Sequence, residues 1–279
     1  ETIAKGDVAD LTISIVYAKA LIESGDPIDA SEVLLKRLPA PEEPIETRRS
    51  MYFVLGKAME KAGEFQSAFE AYAQGNALSA QGFDRELHSN QIDEIIDTFA
   101  ADPFDSMPSS TLDCPQLVFV VGMLRSGSTL TEQIIDAHPR GKGLGEIEVL
   151  PNIINKALAG NTLSNFWSTM NTEQLTELAQ QYIQTLETNT TEEILVDKQL
   201  GNFMYIGAIA KLFPQAKIIH CTRHPLSMGL SCFAQKLPPN TNAWASSLED
   251  IGCFFNEYNR LMAHWKPLLG ERMLEVPYE

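Results

Sequence analysis

The stretch Gln116-Leu-Val-Phe-Val-Val-Gly-Met-Leu-Arg-Ser-Gly-Ser-Thr-Leu130 decides how the second half of the chain is built. Gln116–Val121, rich in valine, reads as a strand buried on both faces. Gly122 and Gly127 then bracket a tight loop. Leu130, Ile134 and Ile135 follow at helical spacing up to Asp136-Ala-His-Pro139. A strand, a glycine loop and a helix in this order aim the free N–H groups of a helix N-terminus at an anion. The two glycines have the spacing of the G-x-x-x-x-G-K-[ST] loop of nucleotide triphosphatases, but Ser128 stands where that loop has its Lys. Without this cation a Mg²⁺-bound triphosphate is disfavoured, and an ATP-dependent kinase with it. Arg125 brings a charge earlier in the loop, which suits a metal-free phosphate carrying one further anionic group.

A second anion site is legible downstream. Lys217–Cys221 reads as a strand running into Arg223, and Pro225 starts a helix, where its missing N–H costs nothing. Ser231 lies eight residues after Arg223 inside that helix. Lys198 follows a short apolar strand in Leu195-Val-Asp-Lys-Gln-Leu200, and Glu146 and Glu148 lie in Gly145-Glu-Ile-Glu-Val-Leu-Pro151.

The string VVGMLRSGSTL resembles the 5′-phosphosulfate loop of sulfotransferases that use 3′-phosphoadenosine 5′-phosphosulfate (PAPS). Its continuation through DAHP to GEIEVLP is similar to the tyrosylprotein sulfotransferase branch and to bacterial proteins in which tetratricopeptide (TPR) repeats are fused to a sulfotransferase domain. The resemblance implies an α/β P-loop parallel-sheet domain over residues 113–279, with PAPS as sulfuryl donor and no metal. It implies Arg125, Ser126, Gly127, Ser128 and Thr129 as the 5′ clamp, and Arg223 with Ser231 as the 3′-phosphate clamp. The family more often has Asp or Asn where His224 stands. Glu146 matches the general base that takes a proton from the acceptor hydroxyl. Glu148 is the runner-up, at a place where the family shows an Arg. Lys198 matches the family Lys near the oxygen bridging sulfur and phosphorus, where it would offset charge developing on the leaving phosphate. Plainer roles stand beside these: Glu146, Ser128 and Thr129 as helix caps, and Lys198 as a surface partner of Asp197. His138 falls at a structural family position and reads as a packing residue. Acceptors compatible with the resemblance are a protein tyrosine, a sugar or a small phenol. Related enzymes continue past a similar Tyr-Glu, so the chain ending at Glu279 reads as C-terminally truncated.

The N-terminal third carries a repeat. Gly25, Ala30 and Leu34 recur as Gly63, Ala68 and Tyr72, with small Ala18 and Gly56 seven residues before each Gly. The period of 38 is close to the roughly 34 of TPR repeats, which residues 7–80 resemble. The extra residues fall in the Pro- and Glu-rich stretch Leu38–Glu46. Ser14 stands where a large aromatic is usual, and Arg37 where a small residue is usual. The reading is thus an all-α, TPR-like region over 1–80 that serves as a docking surface for a protein partner or as plain helical packing. Over 81–112 it is a connecting helix, Gln81–Ala100, and a linker, Asp102–Asp113.

Charge and composition bound these readings. The 279 residues carry a net charge of −16. Residues 1–112 hold 9 basic and 20 acidic side chains, and residues 113–279 hold 12 and 17. Such a balance argues against general nucleic-acid binding, which needs basic patches. No apolar run approaches the roughly 18 residues of a membrane span. Cys114, Cys221, Cys232 and Cys253 form no C-x-x-C pair and no zinc pattern, and read as reduced thiols of a cytoplasmic protein. A rival reading is a TPR interaction module with a degenerate nucleotide site, its acidic surface docking basic partners.

Overall fold

The computed structural model describes residues 10–79, 82–113, 116–186 and 193–278. Cys114, Glu279 and the outermost residues of the repeat region (7–9 and 80) lie outside the described residues. The chain divides into two compact units, Glu1–Phe83 with Gly229–Cys253, and Asp84–Met228 with Phe254–Glu279.

The first unit is helical. It opens with α1 (Leu11–Ser24), α2 (Pro27–Leu35), α3 (Ile45–Lys61) and α4 (Phe65–Ala77). Asp10 caps α1 by accepting the Thr12 N–H at 2.7 Å. Gly25 and Gly63 make the turns between helices with left-handed φ of 94° and 83°. Every other residue of the repeat register is buried: Ala18, Ala30, Leu34, Gly56, Ala68 and Tyr72. Gly56 permits a close approach, since a Cβ there would stand 2.6 Å from the Tyr72 ring. Leu38–Pro44 is irregular, and is held by the Arg37–Glu43 pair at 2.7 Å. Ser14, in place of an aromatic, is fully buried and donates to the Asp10 carbonyl at 3.2 Å.

The second unit begins with α5 (Arg85–Thr98), which buries Ile92 and Ile95, and α6 (Ala101–Ser106). The segment expected as linker thus contains a short helix. Phe104 anchors it, buried against Phe99 with the Lys211 ammonium 4.1 Å from its ring centroid. The chain continues through β1 (Gln116–Gly122), α7 (Ser128–Asp136), β2 (Gly141–Gly143), α8 (Val149–Leu158), α9 (Leu163–Thr169), α10 (Thr172–Thr185) and β3 (Ile194–Asp197). It then runs through α11 (Ile206–Leu212), β4 (Lys217–Thr222), α12 (Pro225–Phe233), α13 (Pro239–Asn242), α14 (Leu248–Leu269) and β5 (Met273–Pro277).

The five described strands form one parallel sheet in the order β2-β3-β1-β4-β5. β1 is central and buried along its length after Gln116, as its apolar run predicts. Val118 and Val120 pack on one face with Val196 and Cys221. Phe119 faces the other way into Tyr182 and Phe213, with ring centroids 6.0 Å from each. The chain leaves β1 toward β3 and later crosses to β4 on the opposite side. The loop after β1 therefore opens at the point where strand order reverses, where open parallel sheets place their ligands.

Candidate active site at the carboxyl ends of the strands

All five strands deliver a chemically equipped residue just past their carboxyl ends. β1 leads to Arg125, β2 to Glu146, β3 to Lys198, β4 to Arg223 and β5 to Tyr278.

The loop after β1 has the geometry of an anion cradle. Arg125 and Gly127 both take left-handed φ, 70° and 91°. For arginine this is a strained conformation, the kind that clusters at functional sites. The Ser126 N–H donates to Met123 O at 3.3 Å, while the Ser126 hydroxyl is buried with no protein hydrogen-bond partner. An orphaned buried hydroxyl costs about 1–3 kcal/mol, so this one fits a loop that completes its bonding with a ligand. Gly127 occupies the N-cap of α7, which corrects the expectation that Ser128 or Thr129 caps this helix. Ser128 is instead the buried first residue of α7, and Thr129 is exposed beside it.

Arg223 reaches this loop. Its guanidinium donates to the Arg125 carbonyl at 3.0 Å and lies 5.3 Å from the centroid of the Tyr278 ring. Tyr278 is held by its N–H on Thr222 O at 2.8 Å, and its ring abuts Gly127, where an added Cβ would stand 2.4 Å away. Arg125, Gly127 and Arg223 are thus brought together. Ser231 lies in the part of α12 counted with the first unit.

Glu146 and Lys198 also converge. Lys198 Nζ donates to Glu146 Oε1 at 2.5 Å. Lys198 is 5% exposed, so it is not the surface lysine of the plainer reading, and its carboxylate partners are Glu146 and Glu132. Asp197 turns instead to Tyr182, whose hydroxyl donates to Oδ2 at 2.9 Å, and to the Gln199 N–H, also at 2.9 Å. Burial pushes the Asp197 carboxyl up to about 6, against the hydrogen bonds from Gln199 and Tyr182, and the charge of Glu132 adds to the rise. Glu146 does not cap α8; Glu148 holds that N-cap position, without a side-chain cap bond. The Glu146 side chain is 56% exposed while tethered to Lys198. His138 is exposed rather than packed, and its Nδ1 accepts the Arg140 N–H at 3.2 Å in the turn after α7. Among the described residues no group of three or more His, Cys, Asp or Glu side chains is placed to hold a metal.

The profile described as "Sulfotransferase family" matches residues 115–279, more than half of the chain. The chain belongs to the sulfotransferase family. It is 31% identical over 261 residues to an uncharacterized protein of Aquifex aeolicus (strain VF5), covering 89% of this chain and 34% of that protein. The chain therefore spans about a third of the length of this curated relative. Among solved structures it is similar to sulfotransferase STF9 from Mycobacterium avium, at 14% identity and a TM-score of 0.38 over 90% of this chain and 78% of that one. A second is sulfotransferase STF1 from Mycobacterium tuberculosis H37Rv, at 14% identity and a TM-score of 0.32 over 98% and 85%.

Sequence reasoning missed Glu132. Of the three apolar residues at helical spacing in α7, Ile135 packs against the Val118 and Val120 cluster, while Leu130 and Ile134 are exposed, at 48% and 65%. The buried residues of the helix are Ser128 and Glu132. A polar side chain one turn beyond the anion loop, on the same face as Ser128, was the available signal. Sequence reasoning also gave Tyr278 no role beyond the Tyr-Glu past which related enzymes continue.

Proposed function

We propose that this member of the sulfotransferase family transfers a sulfuryl group from PAPS to an acceptor hydroxyl. The observation that carries the reading is the convergence, beyond one end of the sheet, of an anion cradle (Arg125 to Thr129, with Arg223) and a buried cation paired with an exposed carboxylate (Lys198 with Glu146). PAPS, when bound, supplies the sulfuryl group and departs as 3′-phosphoadenosine 5′-phosphate. Glu146 takes the acceptor proton as the hydroxyl oxygen forms its bond to sulfur. Lys198 offsets the charge that develops as the bond from sulfur to the bridging oxygen breaks. Arg125, Ser126, Gly127, Ser128 and Thr129 hold the 5′ end, and Arg223 with Ser231 holds the 3′-phosphate. Glu148 is placed two residues on, at the start of α8, and is the second candidate for the base.

The helical unit belongs to the same reading. Its buried register of Ala18, Ala30, Leu34, Gly56, Ala68 and Tyr72 supports a pair of TPR-like repeats, and with them a surface for a protein partner or a protein acceptor. We assign residues 1–80 to this region, 81–112 to the connection and 113–279 to the transferase domain. The buried, reduced Cys221 supports a cytoplasmic setting.

The test is calorimetric titration with 3′-phosphoadenosine 5′-phosphate, compared with ATP and Mg²⁺. Micromolar binding of the bisphosphate without metal, lost in Arg223→Ala, is the expected result. Tighter binding of Mg²⁺-ATP would overturn the donor assignment.

A further inference from the structure

Glu132 has no role in the function proposed above, and its position is unusual for a carboxylate. It is only 9% exposed, on the face of α7 that continues from the anion loop. A buried carboxylate persists only where partners compensate its lost hydration. One partner is the Gly145 N–H, which donates to Glu132 Oε1 at 2.7 Å. Another is Lys198, whose Nζ stands 3.9 Å from Glu132 Oε2. Gly145 is also held at its carbonyl, which accepts the Lys198 N–H at 3.1 Å. Gly143 fits closely against Glu132, since a Cβ there would come within 3.0 Å of Oε1. The segment that ends in Glu146 is therefore seated on Glu132 one residue before the carboxylate that meets Lys198.

We propose that Glu132 is a positioning residue for the transfer reaction. It clamps the Gly145 N–H so that Glu146 stands against Lys198, and it ties the helix of the anion loop to the segment that carries the base. The inference rests on the roles of Glu146 and Lys198 proposed above and adds a residue that acts through them. The clamp depends on the reach of a hydrogen-bond acceptor. A glutamine has that reach, because its amide oxygen can accept the Gly145 N–H. An aspartate keeps the charge and falls one methylene short.

The experiment compares Glu132→Gln with Glu132→Asp, both conservative enough to keep the fold. Two readouts are taken: hydrogen exchange of the Gly145 amide, and kcat beside the affinity for 3′-phosphoadenosine 5′-phosphate. In Glu132→Asp the Gly145 amide should exchange at least about tenfold faster, while Glu132→Gln stays within about threefold of the parent. In Glu132→Asp kcat should fall on the order of 100-fold, the scale of misplacing a catalytic group by about 1 Å, and in Glu132→Gln by less than about tenfold. Bisphosphate affinity should stay within about threefold in both. The reverse order, with Asp retaining turnover and Gln losing it, would show that Glu132 acts only through its charge and would overturn the clamp. Unchanged Gly145 exchange in Glu132→Asp would overturn it equally. A parent chain that neither binds the bisphosphate nor transfers a sulfuryl group would defeat the proposed function alone, because the exchange comparison needs no activity.

Discussion

The two arginines and the Lys198–Glu146 pair make separable demands on single residues. Arg125 and Arg223 meet at a carbonyl beside the anion loop, so Arg125→Ala and Arg223→Ala should each weaken bisphosphate binding by at least about tenfold, measured calorimetrically. Glu146 is exposed and pairs with Lys198 rather than with that loop. Glu146→Gln should lower kcat by about 100-fold or more while leaving bisphosphate affinity within about threefold. An equal loss of affinity in that variant would remove Glu146 from the role of base. Lys198 differs from the arginines in being buried between two carboxylates, so Lys198→Met should cost turnover and stability together, leaving Glu132 buried without its cation.

At the scale of elements, contacts through glycines carry the strongest constraints. Gly127→Ala puts a methyl group into the Tyr278 ring on a backbone at φ 91°, and should lower stability by about 1–3 kcal/mol and weaken bisphosphate binding, read by thermal unfolding and calorimetry. Adding Tyr278→Ala should recover part of the stability by clearing the ring, but not the part due to φ. In the helical unit, Gly56→Ala should cost about 1–3 kcal/mol for the same steric reason against Tyr72. These elements also show what was legible in the sequence. β1, its glycine loop and the strand into Arg223 were legible because each begins with an apolar run that only a buried parallel strand explains. β2 was not: Gly141-Lys-Gly143 has no apolar pattern and becomes a strand through pairing with β3. α6 was hidden by the Pro and Ser residues around it, although Phe104 supplies the buried anchor. The buried side of α7 was legible only in Ile135, because periodicity follows apolar residues, and here a loop N–H and a lysine draw Glu132 inward as well. The approach of Lys198 to Glu146 depends on two loops meeting across β3, a distance no spacing along the chain encodes.

For the molecule as a whole, Asp197 ties stability to pH. Its folded pKa of about 6 lies above the ordinary aspartate value of 3.8, so the folded state binds more protons than the unfolded chain between those values. By linkage, its contribution to stability falls as pH rises through that window. His88, His220 and His264 are held neutral by burial and act in the opposite sense, gaining stability as pH rises toward their ordinary range. The difference between parent and Asp197→Asn isolates the carboxylate. Denaturant unfolding from pH 4 to 7 should show the parent losing stability relative to the variant as pH rises, and parallel curves would refute the assignment. The backbone at Arg125 has a different consequence. An arginine at φ 70° costs about 1–2 kcal/mol relative to an unstrained residue. Arg125→Gly should therefore melt at a higher temperature than the parent while binding the bisphosphate more weakly. The chain has given up robustness to keep a guanidinium in that loop, and selection for heat resistance alone would be expected to erode ligand capture at this codon first.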